Sequence, residues 1–197
     1  MKVRVKMSKK KTMVLIVGAS GSGKTNLIER TFNKKQVLRS TITRPMRPDE
    51  QMGVNYLFTT TKDFKKRLHD GEFIQHAHYQ GNYYGVSKRE ARNKLTEFDT
   101  VVVAVVMPTV KDFQAYCQAN NVNCIAVFCN ISKSRLLAHF ANRKESQTDK
   151  DKRIANYEKE QQNIQYFDDD HILDMNPDDF GVSARRKLLA LIQKENA

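Results

Sequence analysis

The stretch that decides the fold is MVLIVGASGSGKT, residues 13–25. Its first part, Met13 to Gly18, is a short apolar run rich in β-branched side chains that ends on glycine. A run without polar alternation reads as a strand buried on both faces of a parallel sheet. Gly18, Ala19, Ser20, Gly21, Ser22, Gly23, Lys24 and Thr25 then fit the spacing GxxxxGK[ST]. Glycines let such a loop turn tightly with successive backbone N–H groups facing inward, an anion nest at the positive end of a helix. From Thr25 to Phe32 the apolar residues Leu27, Ile28 and Phe32 fall at helical spacing. Strand, glycine-rich loop and helix, in that order, form the setting in which this spacing holds a nucleoside triphosphate. Gly18, Ser20, Gly21, Ser22 and Gly23 are the candidate ATP contacts of the loop. Lys24 is placed to reach the β- and γ-phosphates, and Thr25 to offer its hydroxyl to Mg²⁺. The competing reading is a glycine turn beside an incidental lysine.

Outward from this stretch, strands are expected over 100–107 (TVVVAVVM) and 123–129 (NCIAVFC), with a weaker one over 171–175 (HILDM). Helical spacing falls between them, over 62–70, 87–97, 109–120, 132–142, 150–166 and 183–195. Strands alternating with helices predict an α/β fold with a parallel core sheet. Residues 36–86 break the rhythm: VLRSTITRPMRP, NYLFTT and EFIQHAHYQGNYYGV are strand-like, polar-aromatic and rich in turns. They read as a small, partly antiparallel subdomain inserted after the first helix. Residues 143–153 are almost wholly polar and read as a mobile surface segment.

Composition bounds the partners. The 197 residues are 40% hydrophobic, which suits one domain with small inserts and a buried core. Against 22 acids stand 34 Lys and Arg, a net charge of +12, so the expected partner is anionic. Six of those bases, and no acid, lie in residues 1–11, which read as a basic tail with only non-specific, salt-sensitive affinity for nucleic acid. No apolar run approaches the roughly 18–20 residues of a membrane span, and the N-terminus alternates apolar and charged residues instead of forming a signal-peptide core. A cytoplasmic protein without a membrane partner is expected, a monomer or a homodimer. Cys117, Cys124 and Cys129 lack metal-ligand spacing and read as reduced thiols.

A second anion site is written into Ser40-Thr41-Ile42-Thr43-Arg44-Pro45-Met46-Arg47-Pro48. Guanidinium forks match phosphate oxygens, and proline fixes their aim at low entropic cost. Tyr56 follows, and Tyr84 lies within GNYYG (81–85). One phosphate loop and a separate Arg/Arg/Tyr/Tyr cluster suggest two phosphorylated ligands, one donating and one accepting. A solvated basic face is the alternative. The pair His76 and His78 reads as a polar surface pair, and Asp168–Asp170 as a solvated turn.

In this order, GxSGxGKT, STTRxPRxxExxGxxYxF and GxFxExxxxxGxYYG, the chain resembles the guanylate kinases from residue 12 to about residue 195. The resemblance implies a three-layer P-loop core (12–35 and 87–197), an inserted small mixed β subdomain for a nucleoside monophosphate (36–86) and a helical lid at about 132–157. It implies transfer of the ATP γ-phosphoryl group to a nucleoside monophosphate, with Mg²⁺ and small nucleotides as the partners. Carried over residue by residue, Arg44, Arg47, Tyr56 and Tyr84 grip the acceptor phosphate, and Ser40 matches as well. Arg143 and Arg153 correspond to lid arginines that act in catalysis beside Lys24 and Arg44, and Asn176 to an asparagine near the adenine. The departures concern the base. Gln75 stands where the family reads guanine with glutamate, Val86 stands for its serine or threonine, and Ala104 and Val106 stand for its strand aspartates. A carboxylate accepts from both guanine N1–H and the 2-amino group, whereas an amide offers one acceptor and one donor. A non-guanine acceptor is therefore expected, with a pyrimidine, uracil or thymine, as the candidate base. The alternatives are a true GMP or dGMP kinase, an enzyme like the ribose bisphosphate phosphokinases, and a non-catalytic guanylate-kinase-like interaction module.

Overall fold

The computed structural model describes residues 10–47, 50–54, 56–79, 81–141, 147–176, 179 and 181–196. Strand β1 (Thr12–Gly18) leads into helix α1 (Lys24–Thr31). A short second sheet follows, with β2 (Thr41–Ile42), β3 (Leu57–Phe58), helix α2 (Thr61–His69), β4 (Phe73–Tyr79) and β5 (Asn82–Ser87). The chain then returns through α3 (Lys88–Glu97), β6 (Thr100–Ala104), α4 (Val110–Ala119), β7 (Asn123–Asn130), α5 (Lys133–Ala141), α6 (Gln147–Gln161), β8 (Ile172–Asp174) and α7 (Val182–Glu195).

The core sheet has the order β6-β1-β7-β8, with every pair parallel. β1 shows why the apolar run matters. Met13, Leu15 and Val17 point into one buried cluster with Phe128, Leu95 of α3 and Phe113 of α4. Val14 and Ile16 point into the other, with Leu27 and Ile28 of α1 and Leu188, Leu191 and Ile192 of α7. Three layers result, helices on both faces of a parallel sheet, as the pattern predicts. The second sheet, of order β3-β2-β5-β4, is mixed: β2 and β3 are parallel, and the pairs β2–β5 and β4–β5 are antiparallel.

Three expectations change. The strand expected over 100–107 stops at Ala104. Val105 N–H still bonds Ile16 O, but Val106 is 55% exposed and a 3₁₀ turn over Met107–Thr109 contains Pro108, which has no N–H to donate. The polar segment is not all loop, because α6 begins at Gln147 and runs to Gln161, where a 3₁₀ turn takes over. Its apolar side, Ile154 and Tyr157, packs on Ala19, Ile131 and Leu136, which supplies what local composition lacks. Lys11 belongs to the fold and not to a tail: its ammonium pairs with Asp99 at 2.8 Å and its carbonyl accepts Asn123 N–H. Asp168 precedes a 3₁₀ turn over Asp169–His171, and Asp170 pairs with Lys194 of α7 at 2.9 Å.

The passage between the two sheets is tied by charge. Leu38 N–H bonds Val102 O at the edge of β6. The Glu90 carboxylate of α3 accepts from Arg39 N–H and Nε, and Lys94 Nζ lies 3.6 Å from it. Lys94, 5% exposed, also donates to Lys35 O at 2.6 Å. Burial holds the Lys94 ammonium below its usual pKa, and the Glu90 charge opposes that shift. The segment that leads into the second sheet and the helix that leads out of it are thus clasped by one buried carboxylate.

Candidate active site

At the carboxyl end of β1 the sheet reverses direction of growth, with β6 on one side and β7 on the other. Open parallel sheets bind ligands at such a point. The loop from Gly18 to Thr25 lies there. Gly18 has φ 145°, and a Cβ on it would meet Cys129 O at 2.8 Å. Only glycine fits that close approach, so the loop folds as the spacing predicts. Gly23, in the left-handed region, hands the chain to α1. Lys24 Nζ donates to Gly18 O at 2.7 Å and Ala19 O at 2.8 Å. Ser22 is fully buried, and its hydroxyl has no hydrogen-bond partner among the described residues. That side chain sits beneath the loop against Gly18, and Ser22 N–H bonds Ala19 O at 3.0 Å. The backbone cradle, the lysine and the exposed Thr25 in the first turn of α1 fit a triphosphate accompanied by Mg²⁺.

The arginine site lies on the second sheet. Arg44 Nη1 and Nη2 form a fork onto Glu50, at 2.7 and 2.5 Å, and Arg47 N–H donates to the same carboxylate at 2.9 Å. The Arg44 guanidinium also stacks over the Tyr56 ring at 5.2 Å. Glu50, with a side chain 9% exposed, is held down to about 2 by the hydrogen-bonded Arg44 fork, against the opposing effect of burial. The same fork raises Arg44, with smaller contributions from Tyr56 and Tyr84. The guanidinium is a fixed cation here, aimed by an acid that sequence reasoning missed. The signal was present: Glu50 is the acid of the RxPRxxE pattern.

Thr25, Ser40 and Tyr56 line one cleft of about 350 Å³, together with Val54, Val103 and Ala104. The structure therefore brings Thr25 of the loop together with two acceptor candidates. It does not bring Gln75, Tyr84 or Val86 to that cleft, because they lie on β4 and β5, the far half of the second sheet. Val86 is 1% exposed and belongs to the buried cluster of Met13, Leu15 and Phe113, so its side chain serves the core. Gln75 is half-buried opposite Val86. Arg47 is exposed. Asn176 accepts Ser132 N–H at 2.7 Å and donates to Asp174, so it pins the loop after β7 to the loop after β8. Arg143 lies outside the described residues; Arg153 falls within α6, and its side chain is outside them. Two further acids had no signal in local pattern: Glu29, in that same cleft, and Glu160, whose carboxylate accepts Ser20 N–H at 2.8 Å.

A family model described as guanylate kinase matches residues 9–187. The chain belongs to the guanylate kinase family. Guanylate kinase of Hydrogenovibrio crunogenus is 38% identical over 97 residues, which is 48% of this chain and 47% of that protein. Guanylate kinase of Rickettsia bellii is 32% identical over 126 residues, 62% and 64% of the two chains. The chain thus spans about half to two thirds of the length of these relatives (47% and 64%). The crystal structure of guanylate kinase from Anaplasma phagocytophilum superposes with a TM-score of 0.66 over 95% of this chain and 87% of its own, at 18% identity. That likeness bears on the fold, a guanylate kinase P-loop α/β architecture. Among the described residues no helix is long and apolar enough to cross a membrane.

Proposed function

We propose that this guanylate kinase family member is an ATP-dependent nucleoside monophosphate kinase. The observation that carries the reading is the shared cleft, lined both by Thr25 of the phosphate loop and by Ser40 and Tyr56. Phosphoryl transfer asks for positioning and charge neutralisation more than for covalent help. The loop N–H groups and Lys24 hold the donor phosphates, and Arg44 and Arg47 with Tyr56 and Tyr84 hold the acceptor phosphate in line. Thr25 would hold Mg²⁺ through its hydroxyl, and the ion would supply charge neutralisation at the transferring group. Closure of the second sheet and of the lid bearing Arg143 and Arg153 excludes water. The subdomain limits 36–86 and 132–157 belong to this reading, as do a soluble cytoplasmic setting and the absence of specific nucleic-acid binding.

The acceptor base is the finer part. Gln75 presents no carboxylate where the family reads guanine, Ala104 and Val106 present none where its strand aspartates stand, and Val86 is committed to the core. Loss of polar partners to a buried base costs about 1–3 kcal/mol each. A base with a mixed donor and acceptor edge, a uracil or thymine, suits Gln75 better than guanine does. The test is ATP consumption across a panel of nucleoside monophosphates and ribose bisphosphate. A pyrimidine monophosphate should be preferred. GMP or dGMP as much the best substrate would overturn the base assignment alone. Turnover only of the sugar phosphate, or of nothing, would overturn the kinase reading.

A further inference from the structure

One peptide unit of the phosphate loop is held at both ends by charge. The Ala19–Ser20 peptide gives its carbonyl to Lys24 Nζ at 2.8 Å and its N–H to the Glu160 carboxylate at 2.8 Å. Charge-assisted hydrogen bonds are roughly twice as strong as neutral ones. The same carbonyl accepts Ser22 N–H at 3.0 Å, which closes the loop's first turn. Glu160 is itself aimed. Beside it on α6, Tyr157 donates its hydroxyl to Ile131 O at 2.6 Å and Gln161 Nε2 bonds Asn130 Oδ1 at 2.5 Å. The carboxylate lines a cavity of about 560 Å³ that also touches Gly18, Val106 and Asn163.

We propose that Glu160 is a positioning residue for the phosphate donor: it fixes the Ala19–Ser20 peptide plane and so presets the loop for the triphosphate. The proposal rests on the reading of residues 18–25 as the donor site. A flip of that plane would take the carbonyl off Lys24 Nζ and Ser22 N–H, and so release both the ammonium and the first turn of the loop. Because α6 carries Glu160, the setting of that helix is passed to the loop. A rival effect has the opposite sign. An extra anion beside the donor phosphates would weaken binding by repulsion, so its removal would tighten ATP.

The experiment measures Mg-ATP affinity of the full chain, and KM for ATP and for the preferred monophosphate, in Glu160→Ala, Glu160→Gln, Glu160→Asp and Lys24→Ala. Glu160→Ala should weaken ATP about tenfold and leave the monophosphate KM within about twofold. Glu160→Gln keeps an acceptor oxygen at full reach and should recover most of the loss. Glu160→Asp keeps the charge but falls one methylene short, and should resemble Glu160→Ala. ATP bound equally or more tightly by Glu160→Ala overturns the proposal. So does an equal rise of both KM values, which marks a general loss of structure. If Glu160→Ala does not fold, the Gln and Asp variants decide by their order. If Lys24→Ala leaves ATP binding intact, the donor-site reading fails; if only the Glu160 variants do so, the loss is confined to this proposal.

Discussion

The Arg44–Glu50 fork sets the terms at the scale of single residues. Arg44 looks like a phosphate ligand in sequence, and in the fold it is also a residue held by an acid. Glu50→Gln should therefore raise the KM for the acceptor more than that for ATP, because the fork loses its aim. The fork also has a pH signature. The carboxyl is depressed from 4.5 to about 2 in the folded protein, so its stabilising contribution is complete above about 4.5 and disappears as pH falls through about 2. Urea unfolding of wild type and Glu50→Gln should give midpoints that differ at neutral pH and converge toward about pH 2. Lys24 is a simpler case. Lys24→Ala should abolish phosphoryl transfer, and near-normal turnover would refute its assignment. Arg44→Ala should mainly weaken use of the acceptor.

At the scale of elements, two helices act as anchors. α6 was only partly legible, since its first turn is polar and its register depends on the small cluster of Ala19, Ile131, Leu136 and Tyr157. Tyr157→Phe leaves the buried Ile131 carbonyl without its partner. It should cost about 1–3 kcal/mol in urea unfolding. α3 anchors the route into and out of the second sheet through Glu90. Glu90→Ala leaves the buried Lys94 ammonium without its counter-charge and should cost about 3–5 kcal/mol, whereas Glu90→Ala with Lys94→Met should recover much of it. A double-mutant cycle read by denaturant unfolding checks both values. The amphipathic spacing identified α3 as a helix, but nothing local marked Glu90 and Lys94 as partners of Arg39 and Lys35.

The whole molecule brings Thr25, Ser40 and Tyr56 to one cleft and sends Val86 into the core. Val86→Thr restores the residue type found in the family, yet it puts a hydroxyl into the core. It should cost about 1–3 kcal/mol of stability without raising activity toward GMP, as thermal unfolding and steady-state rates will tell. The sequence by itself determined the parallel α/β core, because β1 is apolar on both faces and glycine spacing dictates the loop that follows. It also determined which residues are able to hold phosphate, because guanidinium, ammonium and glycine backbone carry that ability in any context. Tertiary structure alone decided which acids aim them: Glu50 for Arg44 and Glu160 for the loop, one six residues away and the other 140. It alone decided that Val86 is core. Periodicity reports which face of an element is buried, whereas a hydrogen-bond partner distant in the chain is fixed only when helices and strands pack.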